Sequence, residues 1–181
     1  MNRIAIPTTE QTPAASLPFL AAVHKQLGVT PNLMKLVGNS PAALEGYLSL
    51  SGALGKGTIG AKTGERIALA IAEINGCSYC LSAHTYLGKN VAKLDDAEIA
   101  ANRVGTSTDV KADAAVRFAA KVAHARGHVT DTDVQAVKAA GFNDAEIVEI
   151  VLHVALNTLT NYVNEVALTE IDFPVVAPLA R

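Results

Sequence analysis

The chain has 181 residues, half of them hydrophobic and 18% charged, with 15 Lys+Arg against 17 Asp+Glu for a formal net charge of −2. That length suits one compact domain over residues 1–181, and a surface poorer in charge than the ~25% usual for soluble domains predicts that another copy of the chain covers part of its apolar area. The near-neutral balance, the lack of Trp and the 4% aromatic content exclude the basic footprint and stacking platform of a nucleic-acid binder.

The N-terminal stretch places Pro7, Thr8, Thr9, Glu10 and Pro13 where a signal peptide would have its apolar core, so the expected location is the cytoplasm. Periodic apolar residues at helical spacing then recur along the whole chain. Helices are predicted from Pro18 to Leu27, stopped by Gly28; from Pro41 to Leu54, stopped by Gly55 and Gly57; and from Lys62 to Asn75, stopped by Gly76. A further helix opens at the cysteines Cys77 and Cys80. Asp95 with Glu98, and Asn143 with Glu146, have the spacing of a capping box and mark two more starts. Between them, Ala112 to Arg126 is closed by Gly127, and Asp131 to Ala140 by Gly141. The short tail Asp172-Phe173-Pro174-Val175-Val176 is the one stretch with strand character. The fold class is all-α, a single compact multi-helix domain.

The similar strings Asp95-Asp96-Ala97-Glu98-Ile99 and Asn143-Asp144-Ala145-Glu146-Ile147 hint at an internal duplication, although capping chemistry alone would produce them. Within the helix Lys62–Asn75, the run Ile67 to Ala72 is far below the ~20 residues of a membrane span and no other apolar stretch is longer, so no membrane association is expected. That helix is apolar nearly all round and should lie at the centre of the core. Its charged residues Glu65, Arg66 and Glu73 must then pair, lie at its ends or face a cavity, because an unpaired buried charge is costly.

Cys77 and Cys80 are the only cysteines. Two cysteines three positions apart cannot staple a secreted scaffold, so the pair reads as chemistry. A helix N-terminus offers free amides and the positive end of the dipole, which stabilise a thiolate, and three-residue spacing puts both sulfurs on one face. His84 follows Cys80 by four residues and Cys77 by seven, so its imidazole shares that face. A His beside a thiol takes its proton, which favours Cys80 as the attacking thiolate and Cys77 as the resolving thiol. Zinc would need a fourth ligand that no second Cys/His cluster supplies, haem attachment would need His where Leu81 stands, and two inert core cysteines are the bland alternative.

The run from Glu65 through Asn75-Gly76-Cys77-Ser78-Tyr79-Cys80 to His84 resembles the alkyl hydroperoxidase D family, in the peroxidase-related branch of the carboxymuconolactone decarboxylase superfamily. The resemblance is sharp over about residues 60–90 and elsewhere rests on helix order. It implies an AhpD-like helical domain, assembly into trimers or hexamers, and reduction of organic hydroperoxides or thiol-disulfide exchange in antioxidant defence. By the same resemblance, Cys80 is peroxidatic, Cys77 resolving, His84 the proton acceptor near Cys80, and Glu65 the acid completing the relay. An external dithiol, lipoyl-protein or thioredoxin-type, would regenerate the pair, with no bound cofactor and no metal. The best-known peroxidase members carry His where this chain has Tyr79, which can donate a hydrogen bond but is a poor base. The alternative functions are a non-catalytic redox-sensing assembly module and a decarboxylase-type reaction on a small cyclic acid.

Glu149, His153, Asn157, Asn161 and Glu165 recur every four residues through the apolar segment 146–168. They read as a structural hydrogen-bond ladder in preference to a substrate wall, with His153 able to face the cysteine pocket instead. Glu73 reads as a solvated or salt-bridged helix end, and His124, His128 and His24 as residues that suit helix C-termini. The glycines from Gly52 to Gly60 lack the preceding strand and spacing of a phosphate loop and read as an interhelical turn.

Overall fold

The structure, a computed structural model, describes residues 2–179. A 3-10 turn at Ala14–Ser16 leads into nine α-helices, and no strand occurs among the described residues. They are α1 (Leu17–Leu27), α2 (Asn32–Val37), α3 (Pro41–Leu54), α4 (Gly60–Asn75), α5 (Ser78–Asn90), α6 (Asp96–Arg103), α7 (Val110–Ala125), α8 (Asp131–Ala139) and α9 (Asp144–Ala167). The local signals act as expected. Pro18 and Pro41 sit in the first turns of α1 and α3, and Ser40 accepts from the Ala43 amide to cap α3. Gly28 ends α1 at φ 75°, a left-handed conformation that costs a glycine nothing.

Helix α4 is the hub, packing against α5, α6, α7 and α9. Every residue from Ile67 to Ala72 is buried, as an all-round apolar helix requires. On one side Ile67 and Ile71 meet Ala115, Phe118 and Ala119 of α7 and Ile150 and Val154 of α9. On the other, Ala72 joins Leu44, Cys77, Cys80 and Leu81.

The three charged residues of α4 all find partners. Arg66 Nε lies 2.6 Å from Glu98 Oε1, with both side chains more than nine-tenths buried. Glu73 accepts from Arg103 Nε at 2.7 Å and from the Leu179 amide, so the salt-bridged reading of this residue holds. Glu65 turns toward His84.

Three local expectations are corrected. The hexapeptide helix α2 has too few residues to show a period. Asn143 and Glu146 do form a reciprocal capping box, whereas Asp95 caps the Glu98 amide without return. Glu98 is occupied elsewhere: it accepts from Arg66, Asn102 Nδ2, the Ser107 hydroxyl, the Thr108 amide and the Thr108 hydroxyl. The reciprocal box that was not foreseen is Thr130 with Asp133 at the start of α8. Lastly, the tail after α9 forms no strand but runs as an extended strap over α5. Its Val176 amide donates to Ser82 Oγ, and Arg103 Nη2 donates to the Ala177 carbonyl.

The outer face of α9 carries exposed Val148, Val151, Leu152, Leu159, Tyr162 and Val166. No helix among the described residues is long and apolar enough to cross a membrane.

Burial pushes the Glu98 carboxyl upward, but the hydrogen bonds from Ser107, Thr108 and Asn102 outweigh it and hold the pKa down at about 2. A depressed carboxyl stabilises the fold above its unfolded pKa and loses that contribution as pH falls through the folded value. Stability is therefore expected to decline between about pH 4.5 and pH 2. Glu98→Gln, which leaves Arg66 buried without a counter-charge, should lower unfolding stability by about 3–5 kcal/mol in urea titrations at pH 7.

Candidate active site

The backbone between α4 and α5 places the two sulfurs. Gly76 takes φ 69° and the Cys77 amide reaches back to the Ala72 carbonyl at 3.0 Å, a Schellman-type closure that ends α4 and reverses the chain at once. Cys77 is extended and serves as the N-cap of α5, its sulfur accepting from the Cys80 amide at 3.4 Å. One helical turn brings Cys80 round to the same face. The two Sγ atoms lie 3.0 Å apart as free thiols, both buried.

The shared environment separates the pair electrostatically. The hydrogen bond from the Cys77 thiol is the largest influence on Cys80 and lowers its pKa; burial opposes it; the charge of His84 and the amides of Asn164 and Asn161 lower it further, leaving the value at about 7. Asn164 Nδ2 stands 3.2 Å from the Cys80 sulfur. Cys77 moves the opposite way: giving its hydrogen to Cys80, burial and the Cys80 charge all push its thiol up. The first proton to leave the pair is thus the one on Cys80.

His84 Nδ1 lies 2.9 Å from Glu65 Oε2, both side chains about four-fifths buried. Burial pulls the imidazolium down, but the charge and hydrogen bond of Glu65, with the negative charge of Cys80, prevail and raise its pKa. His84 thus acts on Cys80 through charge while its Nδ1 is committed to Glu65.

Cys80, His84 and Glu65 line a cavity of about 370 Å³ enclosed by α1 to α5 and α9, whereas Cys77 lies behind its wall. Most of the wall is apolar, including Val23, Leu33, Met34, Leu48, Ala68 and Leu156. Among the described lining residues Glu65 is the one carboxylate, and no Lys or Arg is present. Among the described residues, too, no group of three or more His, Cys, Asp or Glu side chains is placed to hold a metal ion.

Residues 41–125, which span the cavity-forming helices α3 to α5, match the model of the carboxymuconolactone decarboxylase family. The whole chain superposes on the AhpD core. A peroxidase-related protein with that core from Ralstonia eutropha JMP134 gives a TM-score of 0.82 at 22% identity, over 94% of this chain and 92% of that one. The chain is an AhpD-like member of the carboxymuconolactone decarboxylase family. A second peroxidase-related protein, from Silicibacter sp. TM1040, gives 0.80 at 21% identity over 93% and 89% of the two chains. The debrominase Bmp8, in complex with 2,3,4-tribromopyrrole, gives 0.78 at 17% identity over 94% and 91%. No curated protein matches the chain by sequence.

The remaining candidates divide within this AhpD-like frame. Tyr79 lines the cavity, but its hydroxyl donates to Asp172 Oδ1 at 2.8 Å and accepts from the Leu33 amide at 3.1 Å. Burial is the main reason its pKa is raised, with the Asp172 contact adding to it, so Tyr79 remains a phenol. His153 lines the cavity as well, so the ladder reading fails for this member of the α9 series. Its ring occupies space that Gly64 leaves open, since a Cβ there would come within 2.8 Å of His153 Cε1. Burial lowers its pKa against the pull of Glu149 and Glu65, and Nε2 has no hydrogen-bond partner among the described residues.

The other members of the series scatter. Glu149 accepts from the Thr58 and Ile59 amides and so caps α4, where Ile59 supplies no side-chain cap. Asn157 lines the cavity, Asn161 accepts from Asn75, and Glu165 is exposed.

Two neighbours of the sulfurs had no signal in the sequence reading. Asn164 falls between members of the four-residue series. Tyr47 of α3 lies thirty residues before Cys77, and burial first, then the charges of Cys80 and Glu65, push its phenol up to about 12 against a hydrogen bond with Ser51.

Asn164→Leu removes a donor to the Cys80 sulfur, so the pH midpoint for alkylation of the protein by iodoacetamide should move from about 7 to a higher value. Mass-mapped labelling should place the neutral-pH adduct on Cys80, with Cys77 unmodified.

Proposed function

We propose that the protein is a thiol-dependent peroxidase and disulfide oxidoreductase that reduces organic hydroperoxides through Cys80 and Cys77. The observation that carries this reading is a sulfur whose pKa is held at about 7, facing an apolar cavity, with a second thiol 3.0 Å behind it. Near pH 7 such a sulfur is about half thiolate, and the thiolate is the nucleophile.

In the proposed cycle the Cys80 thiolate attacks the terminal oxygen of the hydroperoxide. The S–O bond forms as the O–O bond breaks, and the alkoxide takes a proton from the His84 imidazolium to leave as an alcohol. Cys80 is then a sulfenic acid. The Cys77 sulfur attacks it, the disulfide forms, and the released hydroxide leaves as water with the Cys77 proton. An external dithiol returns two electrons and two protons by thiol-disulfide exchange. Glu65 holds the His84 ring in place and favours its charged form. Tyr79, fixed by Asp172 and the Leu33 amide, builds the wall and takes no part in proton transfer.

The wall also bears on the alternatives. A small cyclic acid would have to bring its carboxylate into a cavity whose fixed charge is Glu65 and whose lining holds no Lys or Arg, which disfavours the decarboxylase-type reaction. A redox sensor without catalysis gives no account of a cavity reaching the low-pKa sulfur. The exposed apolar face of α9 supports the expected self-association. A reducing compartment such as the cytoplasm suits free thiols at this site.

A stoichiometric dose of cumene hydroperoxide should consume both thiols of the wild type and yield a disulfide. In Cys77→Ser it should instead trap a sulfenic acid on Cys80, detectable by dimedone. Either Cys80→Ser or Cys77→Ser should abolish steady-state turnover with a dithiol, and undiminished turnover in either variant refutes the mechanism.

A further inference from the structure

The cavity wall and the cavity mouth have opposite character. The lining residues that are solvent-exposed come from four chain segments: Gln26 and Leu27 at the end of α1, Gly55 after α3, Ala61 at the start of α4, and Val91 after α5. Each segment carries lysine within two residues of its exposed lining position, namely Lys25, Lys56, Lys62, Lys89 and Lys93, all exposed. Five of the nine lysines in the chain lie in these segments. No Asp or Glu occurs within three residues of any of the exposed lining positions. Lys89 is engaged by Asp96 at 2.8 Å, and Lys93 donates to the Asn90 carbonyl. Lys25, Lys56 and Lys62 have no ion-pair or hydrogen-bond partner among the described residues.

These two features select a ligand by its polarity. An apolar chain is favoured inside, where Leu33, Met34, Leu48 and Leu156 replace water. A carboxylate drawn inside would lose its hydration near Glu65 with no cation to receive it. Held at the mouth, the same carboxylate stays in water and meets three uncompensated ammonium groups. We propose that the mouth is a head-group site and that the substrate class is a hydroperoxide borne along the acyl chain of a free long-chain carboxylic acid, bound tail-in with its carboxylate among Lys25, Lys56 and Lys62. The proposal rests on the peroxidase reading for its chemistry, while the binding orientation stands independently of turnover.

Two measurements on the full chain test it. In the first, decanoate and 1-decanol, neither of which can be reduced, are titrated against the wild type and a K25Q/K56Q/K62Q variant by displacement of a fluorescent apolar probe. Decanoate should bind the wild type about tenfold more tightly than the triple variant at low salt, and decanol should bind both equally. In the second, kcat/KM is compared for linoleic acid hydroperoxide, its methyl ester and cumene hydroperoxide. The free acid should exceed the ester in the wild type, the advantage should shrink in the triple variant or in about 0.5 M salt, and the rate with cumene hydroperoxide should be unchanged by the substitutions.

Equal binding of decanoate to both proteins overturns the proposal. So does a triple variant slowed alike on all three hydroperoxides, which would instead make the lysines a docking collar for an acidic reductant. Lysine-dependent decanoate binding in a protein that reduces no hydroperoxide would overturn the peroxidase reading and leave the head-group site standing.

Discussion

A hydrogen bond between two sulfurs organises this site. Buried thiols ordinarily resist ionisation, because a thiolate in apolar surroundings loses its hydration. The chain escapes that outcome for one cysteine at the expense of the other. Cys77 is the N-cap, so its sulfur is turned inward over the first turn of α5, where the Cys80 amide and the Cys80 sulfur both stand. Its hydrogen goes to Cys80, and the two proton affinities separate. The 3.0 Å contact that sets this asymmetry is also the approach that a resolving thiol needs, so ionisation and disulfide formation depend on the same placement.

That placement is inherited from α4. A left-handed residue at position 76 reverses the chain within two residues and sets α5 directly against the hub helix. The charges that interrupt the apolar surface of α4 then serve different ends. Arg66 and Glu98 form a buried pair that ties α6 and the following loop to the core, Glu73 holds Arg103 and the end of the tail, and Glu65 alone opens into the cavity. The carboxylate that orients His84 is therefore built into the most rigidly packed helix of the protein, one residue from Gly64, whose missing side chain admits the His153 ring.

Most helices were legible in the sequence because their stop signals are local: Gly28, Gly55 and Gly76 follow the last residues of α1, α3 and α4 directly. The Cys77, Cys80 and His84 arrangement was legible because three- and four-residue spacings within one helix fix a common face. What one helix cannot reveal is which neighbour it meets. Asn164 is more than eighty residues from Cys80 and belongs to a helix whose own period pointed to Asn161 and His153. Glu98 has the spacing of a capping box, yet tertiary donors from Arg66, Ser107 and Thr108 outcompete its own N-cap amide. The even series on α9 likewise misled as a single ladder. Twenty-four residues of helix pass the α3–α4 loop, the cavity, the sulfurs and solvent in turn, so residues four apart meet different environments.

Tyr79 shows how the site closes without a second histidine beside the cysteines. Its hydroxyl bridges the Leu33 amide at the start of α2 and Asp172 in the tail, and Asp172 also accepts from the Asn32 amide at 2.7 Å. Phe173 packs edge-on against the Tyr79 ring with centroids 5.8 Å apart. The residue between the two cysteines is thereby fastened to segments that lie more than forty positions before it and more than ninety after it. A base at this position would compete with His84 for the proton of Cys80. A phenol held by its neighbours instead leaves the thiolate–imidazolium pair as the single proton-transfer unit facing the cavity, with the C-terminal strap as part of the wall that keeps water from it.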